Sequence, residues 1–496
     1  MPSIKACQAA GAIEAIDTGI AQRAIRCARF ANSMVLEFQL FRWGVKMADF
    51  DLVVRGNLVL SERVIEDGFV AVSGGKIVQI GEGTPPAASD VYDARGHFVL
   101  PGAIDGQVHT GSQTPPEGIL QSSKAAAAGG VTTIVDMPYD SLGAVVDVDS
   151  FKSKVAVVER DAHVDVGLFA TIRKEDGVKD IPGLVDAGAC AFKFSTYESH
   201  PVRFPRIKPI DMLAAFEALA PTGIGGGVHN ENQEMVDFLV EKLQAEGRTD
   251  PAAHGLSRPP IAEALAMAEI YELGAAAGSR VHVVHCSIPR GIDICEAYKS
   301  QGVRATVEVC IHYLMLDEDD MIRVGAFGKI NPPIRPREMV EGMWGHVAAG
   351  HIDFVSTDHS PWPLSAKSDP NIFKNGSGAP GLESFIPAMF TGVQQHGLPV
   401  TTVANLLSEG PAKYFLMDPK KGYIRVGADA DLAILEPGKF KFDASKTVTV
   451  ADWSPFDGKE FTCRVSGTFL RGKLVWDGSA VLSQPGDGEF VRPVRP

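Results

Sequence analysis

Eight short apolar runs, rich in β-branched residues and each ending in polar ones, constrain this chain more than any other feature. In order they are GAIDGQVH, VTTIVDMP, VDVGLFATI, ACAFKFS, GIGGGVHNEN, RVHVVHCS, VRATVEVC and HIDFVSTDHS, and Ala- and Leu-rich stretches such as PPIAEALAMAEIYELGAAAG lie between them. Such runs alternating with helical texture read as buried parallel strands covered by helices. Eight is the count of a (β/α)8 TIM barrel, an α/β fold whose chemistry sits where the strand C-terminal ends converge. Gln107, His109, Lys193, His229, His285, Glu308, Asp358 and His359 all lie at or beside those ends. An accidental scatter of polar residues would not collect there.

The flanks have a different texture. FDLVVRGNLVL, GFVAVSGGKIVQIG and GHFVLPG alternate apolar and polar residues with Gly turns, and the pattern returns in GYIRVGADADLAILEP and RVSGTFLRGKLVWDG. The expected organisation is a small β-sandwich domain built from residues 47–100 and 416–480, a barrel over 101–415, and a tail over 481–496. Residues 1–46 carry several arginines and few acids without an uninterrupted apolar signal core, and read as a loosely attached extension ahead of Met47. The formal charge of −14 argues against nonspecific binding to nucleic acid or anionic membranes. No apolar run approaches the roughly 20 residues that span a bilayer. Seven scattered cysteines without CxxC spacing argue against a disulfide framework or a zinc knuckle, and point to a reducing cytoplasm.

Each strand-end residue means less alone than in the set. A lone histidine, as at His109, His229 or His285, is more often a hydrogen-bonded core residue than a ligand. His282, of opposite parity, is expected outside the barrel. Lys193 is different: Phe192 and Phe194 occupy the other face of its strand, so the lysine points into the barrel. A buried ammonium is costly unless it is paired, neutralised or modified. Asp358 carries a similar penalty, which a cation would relieve. Three histidines, a buried lysine and a buried aspartate together make a divalent-metal site. An ammonium cannot ligate a cation, but a neutral lysine amine adds carbon dioxide to become a carbamate with two oxygens for metal.

The same strand ends carry a resemblance. AAAAGGVTTIVDMP, FKFS, VHNEN, VHVVHCS, EVCIHYL, KINPPIR, STDHSPWPLSAK and VGADADLAIL, in that order, resemble the amidohydrolase superfamily. Within it they resemble the cyclic amidohydrolases: allantoinase, dihydropyrimidinase (hydantoinase) and dihydroorotase. NGSGAPGLES and WSPFDGKEF look most like allantoinase. (GSGAPG also fits G-x-G-x-x-G, but no strand precedes it.) The resemblance implies metal-dependent hydrolysis of a ring C–N amide bond in an allantoin-like or hydantoin-like substrate. It implies His109 and Asp358 on the more buried metal, and a Lys193 carbamate bridging to a second metal held by His229 and His285. Hydroxide generated by the cation attacks the carbonyl, while Asp358 takes the proton and passes it to the leaving nitrogen. Zinc is the expected ion, with manganese, iron or cobalt as alternatives. Family members are often tetramers, so a homo-oligomer is expected.

Gln107 departs from the family, standing where the first histidine of His-x-His belongs. Its amide oxygen is a poorer donor than imidazole. Two metals with the inner one weakened, one metal, or none all stay open. A retained but altered site is the expectation, because Lys193 and Asp358 would otherwise be buried at a cost. The dihydroorotase pattern for a substrate carboxylate is missing: HTGSQTPPEG and MPYDS stand there, and Thr110, Gly111 and Tyr139 cannot form that ion pair. Neutral cyclic amides are expected, contacted by Ser195, Tyr197, Cys310 and Asn331, for which loop packing is an equal reading. His312 and His359 are expected to support the site without binding metal, and Arg335 to anchor a loop. Two alternatives stay open: a non-catalytic, metal-poor scaffold resembling the collapsin-response mediator proteins, and a single-metal hydrolase of cyclic imides or lactones.

Overall fold

The alternating residues after Met47 form four strands, β1 (Phe50–Val59), β2 (Val64–Ser73), β3 (Lys76–Glu82) and β4 (Ala88–Pro101). They belong to a computed structural model that describes residues 50–495; the extension expected over 1–46 lies outside the described residues. The eight apolar runs then become β5 (Ala103–Val108), β6 (Val131–Asp136), β7 (Asp165–Ala170), β8 (Ala191–Ser195), β9 (Gly225–His229), β10 (Val281–Val283), β11 (Ala305–Cys310) and β12 (Phe354–Ser356). They bond in that order, each parallel to the next, and helices between them cover the outside. The ring closes just beyond the strands, where His109 N donates to His359 O at 2.8 Å and His359 N to Gln107 O at 3.3 Å. The closing seam therefore runs through the residues that carry the candidate chemistry.

Parity sorts the barrel side chains. Phe194 points outward against Phe216 of the helix Pro209–Leu219, with ring centroids 5.9 Å apart. Ile104, Val135, Phe169, Ala191 and Phe354 point inward and pack with Tyr414 and Phe415. Gly106 lets this interior approach the backbone: a Cβ there would lie 2.7 Å from the Phe354 ring and 2.9 Å from that of Phe415. His282 belongs to this interior, contrary to the outward placement expected from parity. Its ring stacks on Phe354 at 5.1 Å, lies 4.3 Å from Tyr414, and brings Nε2 to 3.7 Å from Glu308 Oε2. The two-residue count fails because β10 ends at Val283 and the backbone turns left-handed at His285, with φ of 42°. His282 and His285 thus share the inside of the barrel at different depths.

Three more strands follow, β13 (Leu432–Lys441), β14 (Glu460–Leu470) and β15 (Lys473–Trp476). They join the first four in the order β15-β14-β13-β4-β1-β2-β3, antiparallel except between β4 and β1. Val54, Val70, Val72 and Ile77 from one end of the chain share a core with Leu432, Ile434 and Phe469 from the other. A buried ionic joint fastens this unit to the barrel at the end opposite the mouth. Lys421 Nζ reaches Asp165 at the start of β7, Asp429 at 2.8 Å and Asp431 at 2.7 Å, and Arg471 also binds Asp165. The three carboxylates are close enough for a metal, but the cation among them is the lysine itself. The segment expected as a tail returns here too: Val166 N donates to Glu489 O and Val491 N to Val166 O, both at 2.9 Å. No helix among the described residues is long and apolar enough to cross a membrane. The cysteines at 190, 286, 295, 310 and 463 are free and buried.

Candidate active site

A cavity of about 420 Å³ opens at the C-terminal ends of the barrel strands. Its walls include Gln107, His109, Lys193, His229, His285 and Asp358, with Tyr197 and Asn331 nearer the mouth. Ser195 and Cys310, the other two residues expected to contact substrate, do not line it. The Ser195 hydroxyl closes its own turn, donating to Tyr197 O at 2.5 Å and accepting from Tyr197 N at 3.1 Å. Cys310 is fully buried, its Sγ 3.4 Å from Ser356 Oγ.

The inner group assembles across the closing seam. Backbone φ at Asp358 is 51°, and this left-handed turn after β12 aims the carboxylate at the end of β5. Oδ1 accepts from Gln107 Nε2 at 2.8 Å and lies 3.2 Å from His109 Nε2. His109 Nδ1 is bonded to Ser112 Oγ at 2.8 Å. Burial alone would raise the Asp358 pKa, but the hydrogen bond and charge of His109, reinforced by Lys193, hold it below the usual carboxylate value. An ionised carboxylate obliges Gln107 to present its nitrogen, which leaves Gln107 Oε1 buried without a partner among the described residues.

The outer group is arranged differently. His229 Nε2 bonds Glu231 Oε2 at 2.8 Å, so its Nδ1 faces His285 Nε2 at 2.9 Å. Burial pushes His285 far toward its neutral form, and two imidazole nitrogens facing each other at this distance share either a proton or a cation. Lys193 is 1% exposed, and no carboxylate pairs with its Nζ among the described residues; burial pushes its pKa down to about 8 against the pull of Asp358 and Glu308. Burial also pushes Glu308 up to about 8. Tyr139 Oη and Thr171 Oγ1 donate to the Lys193 carbonyl at 3.0 and 2.6 Å, fixing its strand end.

These details test how a divalent metal fits. The outer group fits one cation: two imidazole nitrogens converge, and the unpaired Lys193 amine can supply an anion once carbamylated. The inner group offers a weaker set, because Gln107 Nε2 holds Asp358 Oδ1 and the unpartnered Gln107 Oε1 is a poorer donor than imidazole.

Residues that the strand pattern did not single out complete the site. Arg258 Nη1 donates to Glu231 Oε2 at 2.5 Å and its guanidinium lies 4.7 Å from the centre of the Tyr197 ring. Despite burial, Arg258 and His229 hold the Glu231 pKa at about 2. Glu231 had a local signal, standing two residues after His229 in VHNEN. Arg258 had none. Arg335 binds Glu263 Oε2 at 3.0 Å, Ser287 Oγ at 2.9 Å and Arg258 O at 2.6 Å, fixing the segment that delivers Arg258. His359 faces away from the cavity: its Nε2 bonds Glu117 Oε2 at 2.9 Å and its Nδ1 accepts from Gly381 N at 3.1 Å. His312 is buried, with Nε2 lacking a partner among the described residues. Two buried lysines hold the far wall. Lys329 Nζ donates to the carbonyls of Phe373 and Asn375, and Lys367 Nζ to those of Gly376 and Gly378.

Residues 212–475 match the model of the amidohydrolase family. An allantoinase of Rubrobacter xylanophilus is 37% identical over 458 residues, covering 90% of this chain and 99% of its own length. This chain belongs to the amidohydrolase family. An L-hydantoinase of Paenarthrobacter aurescens is a 33% identical relative over 450 residues, covering 89% of this chain and 98% of its own length. Among solved amidohydrolase structures, the L-hydantoinase (dihydropyrimidinase) from Arthrobacter aurescens superposes with a TM-score of 0.86 at 33% identity, covering 89% of this chain and all of that one. A D-hydantoinase structure follows at 0.83 and 28% identity, covering 90% of this chain and 99% of that one.

Proposed function

We propose that this amidohydrolase opens a cyclic ureide or amide, allantoin-like or hydantoin-like, at a ring C–N bond, using one divalent cation and Asp358 as the proton carrier. The observation that carries the reading is the outer group: His229 and His285 converge beside an unpaired, buried Lys193 in the wall of an open cavity. His229, His285 and a Lys193 carbamate would hold the cation, zinc being the expected ion. A cation there lowers the pKa of water toward about 7 and polarises a carbonyl.

The remaining work falls to the chain's own groups. Asp358 Oδ1 is committed to Gln107 and His109, which leaves Oδ2 to take a proton from the attacking water and return it to the departing ring nitrogen. Gln107 and His109 fix that carboxylate, so proton transfer needs no rotation. Glu231 accepts from His229 Nε2 and keeps the Nδ1 lone pair directed into the cavity. Asn331 Oδ1, without a partner among the described residues, is available to a ring N–H. The relatives called allantoinase and L-hydantoinase support a ureide ring as substrate.

The same reading includes a homo-oligomer, supported by Phe238, Ile261 and Leu265, which are 65, 58 and 46% exposed on the helices Gln233–Ala245 and Pro260–Ala277. The deciding experiment incubates protein reconstituted with bicarbonate and zinc or manganese with allantoin, hydantoin, dihydrouracil and a cyclic imide. Chelator-sensitive opening of a ureide ring is the expected result. Protein that takes up no metal on reconstitution and stays inert toward every ring would sink the reading and favour a scaffold.

A further inference from the structure

Arg203 reaches the cavity from the turn between Tyr197 and Phe204, in the loop that follows the C-terminal end of β8. The turn is pinned by His200, which bridges to Phe204 and whose Nδ1 accepts from the amides of Val202 and Arg203 at 3.2 and 3.1 Å. The Phe204 ring closes against Tyr139 at 4.2 Å and His229 at 5.9 Å, so this turn forms the wall directly outside the outer group. Arg203 Nη1 donates to Ser112 O at 3.0 Å, and Ser112 Oγ in turn bonds His109 Nδ1. The guanidinium is thereby held at a fixed place relative to the inner group.

Its charge is not answered. Two arginines line the cavity. Arg258 is paired with Glu231, and Arg203 meets no carboxylate among the described residues. Glu198, the acid nearest in sequence, is taken by Lys174 at 2.6 Å. Arg206 is taken up by Glu234 at 2.8 Å. The cavity of about 420 Å³ that Arg203 lines has room for a ring substituent as well as the ring.

We infer that Arg203 is a specificity-determining residue that binds an oxygen-bearing, and preferentially carboxylate-bearing, substituent on the ring. The inference rests on the ring-opening reading above and adds the class of substituent. A half-buried guanidinium with free N–H groups presents a fork suited to a carboxylate. The 109–113 loop has no arginine of its own, so this group reaches the same cavity from another part of the chain.

The test uses metal-reconstituted full-length protein and four hydantoins: unsubstituted, 5-carboxymethyl, 5-carbamoylmethyl and 5-isobutyl. Wild-type kcat/KM is expected to favour carboxymethyl over isobutyl, with carbamoylmethyl between them. In Arg203→Gln the carboxymethyl-to-isobutyl ratio should fall by about 30-fold, the scale of one charge-assisted contact, and Arg203→Lys should restore part of it. Added salt should weaken the wild-type preference. Ring opening with equal kcat/KM for all four rings would overturn the role of Arg203 alone, and so would a ratio unchanged in Arg203→Gln. Failure to open any of the rings would overturn the ring-opening reading and this inference with it.

Discussion

Replacing Glu231 by glutamine separates two jobs that one carboxylate performs. Glu231 is 1% exposed, bonded to Arg258 at 2.5 Å and to His229 at 2.8 Å. Its pKa is held at about 2 against 4.5 for a free glutamate, a gap equivalent to about 3 kcal/mol. Because the folded value is the lower one, this stabilisation is fully present above about pH 4.5 and is lost as pH falls toward 2. An independent route gives a similar figure: removing one partner of a buried ion pair costs about 3–5 kcal/mol, and the Tyr197 ring beneath Arg258 returns about 1 kcal/mol. Denaturant unfolding at pH 7 should therefore find E231Q about 3 kcal/mol less stable than wild type, with the gap about 1 kcal/mol smaller at pH 4. The glutamine oxygen still accepts from His229 Nε2, so metal affinity should stay within about tenfold of wild type. Glu231→Leu removes the acceptor and should cost about 10- to 100-fold in metal affinity. A variant E231Q within 1 kcal/mol of wild type at pH 7 would refute the ion-pair reasoning. Undiminished metal binding by E231L would refute the account of His229.

Other expectations can be checked alongside. Metal analysis after reconstitution with zinc and bicarbonate should find about one ion per chain in wild type and about two in Gln107→His, since imidazole is the stronger donor for the inner group; two tightly held ions in wild type would contradict a weakened inner site. Asp358→Asn should lower turnover at least about 100-fold with thermal unfolding little changed, and an active variant would remove Asp358 as proton carrier. Lys421→Met leaves Asp431 without a cation, while Asp165 keeps Arg471 and Asp429 keeps Lys76, and should cost about 3 kcal/mol in unfolding free energy, with activity per folded molecule retained. Glu383 is partly buried and its pKa is pushed up to about 7, so the protonated form favours folding below about pH 4.5 and that contribution fades as pH rises through 7. Glu383→Gln should therefore be insensitive to this loss, narrowing its stability deficit relative to wild type by about 2 kcal/mol between pH 5 and pH 8.

Much of the architecture was legible because strand patterning is local. Each of the eight runs contains enough apolar residues to announce a buried strand, and Lys193 between Phe192 and Phe194 declares its direction by simple alternation. Gln107, His109 and Asp358 were readable as neighbours only through the barrel count, which brings the strand ends together, since their contact spans 251 positions of sequence. His282 was misplaced because alternation presumes an extended backbone, and the turn at His285 breaks it. Ser195 and Cys310 were left open between substrate contact and packing for another reason: lying at a strand end does not decide whether a hydroxyl serves its own turn or a thiol faces a neighbouring strand. Arg203 and Arg258 left no trace in any motif, because long side chains reach across loops and their partners are fixed only in three dimensions.

The seam between the first and last barrel strands has a consequence for how competence is acquired. Asp358 meets Gln107 and His109 only where the ring shuts, so a chain with seven strands in place still lacks the carboxylate proposed to carry the proton. The reactive centre is the clasp of the barrel, and nothing can be processed there until the clasp is fastened.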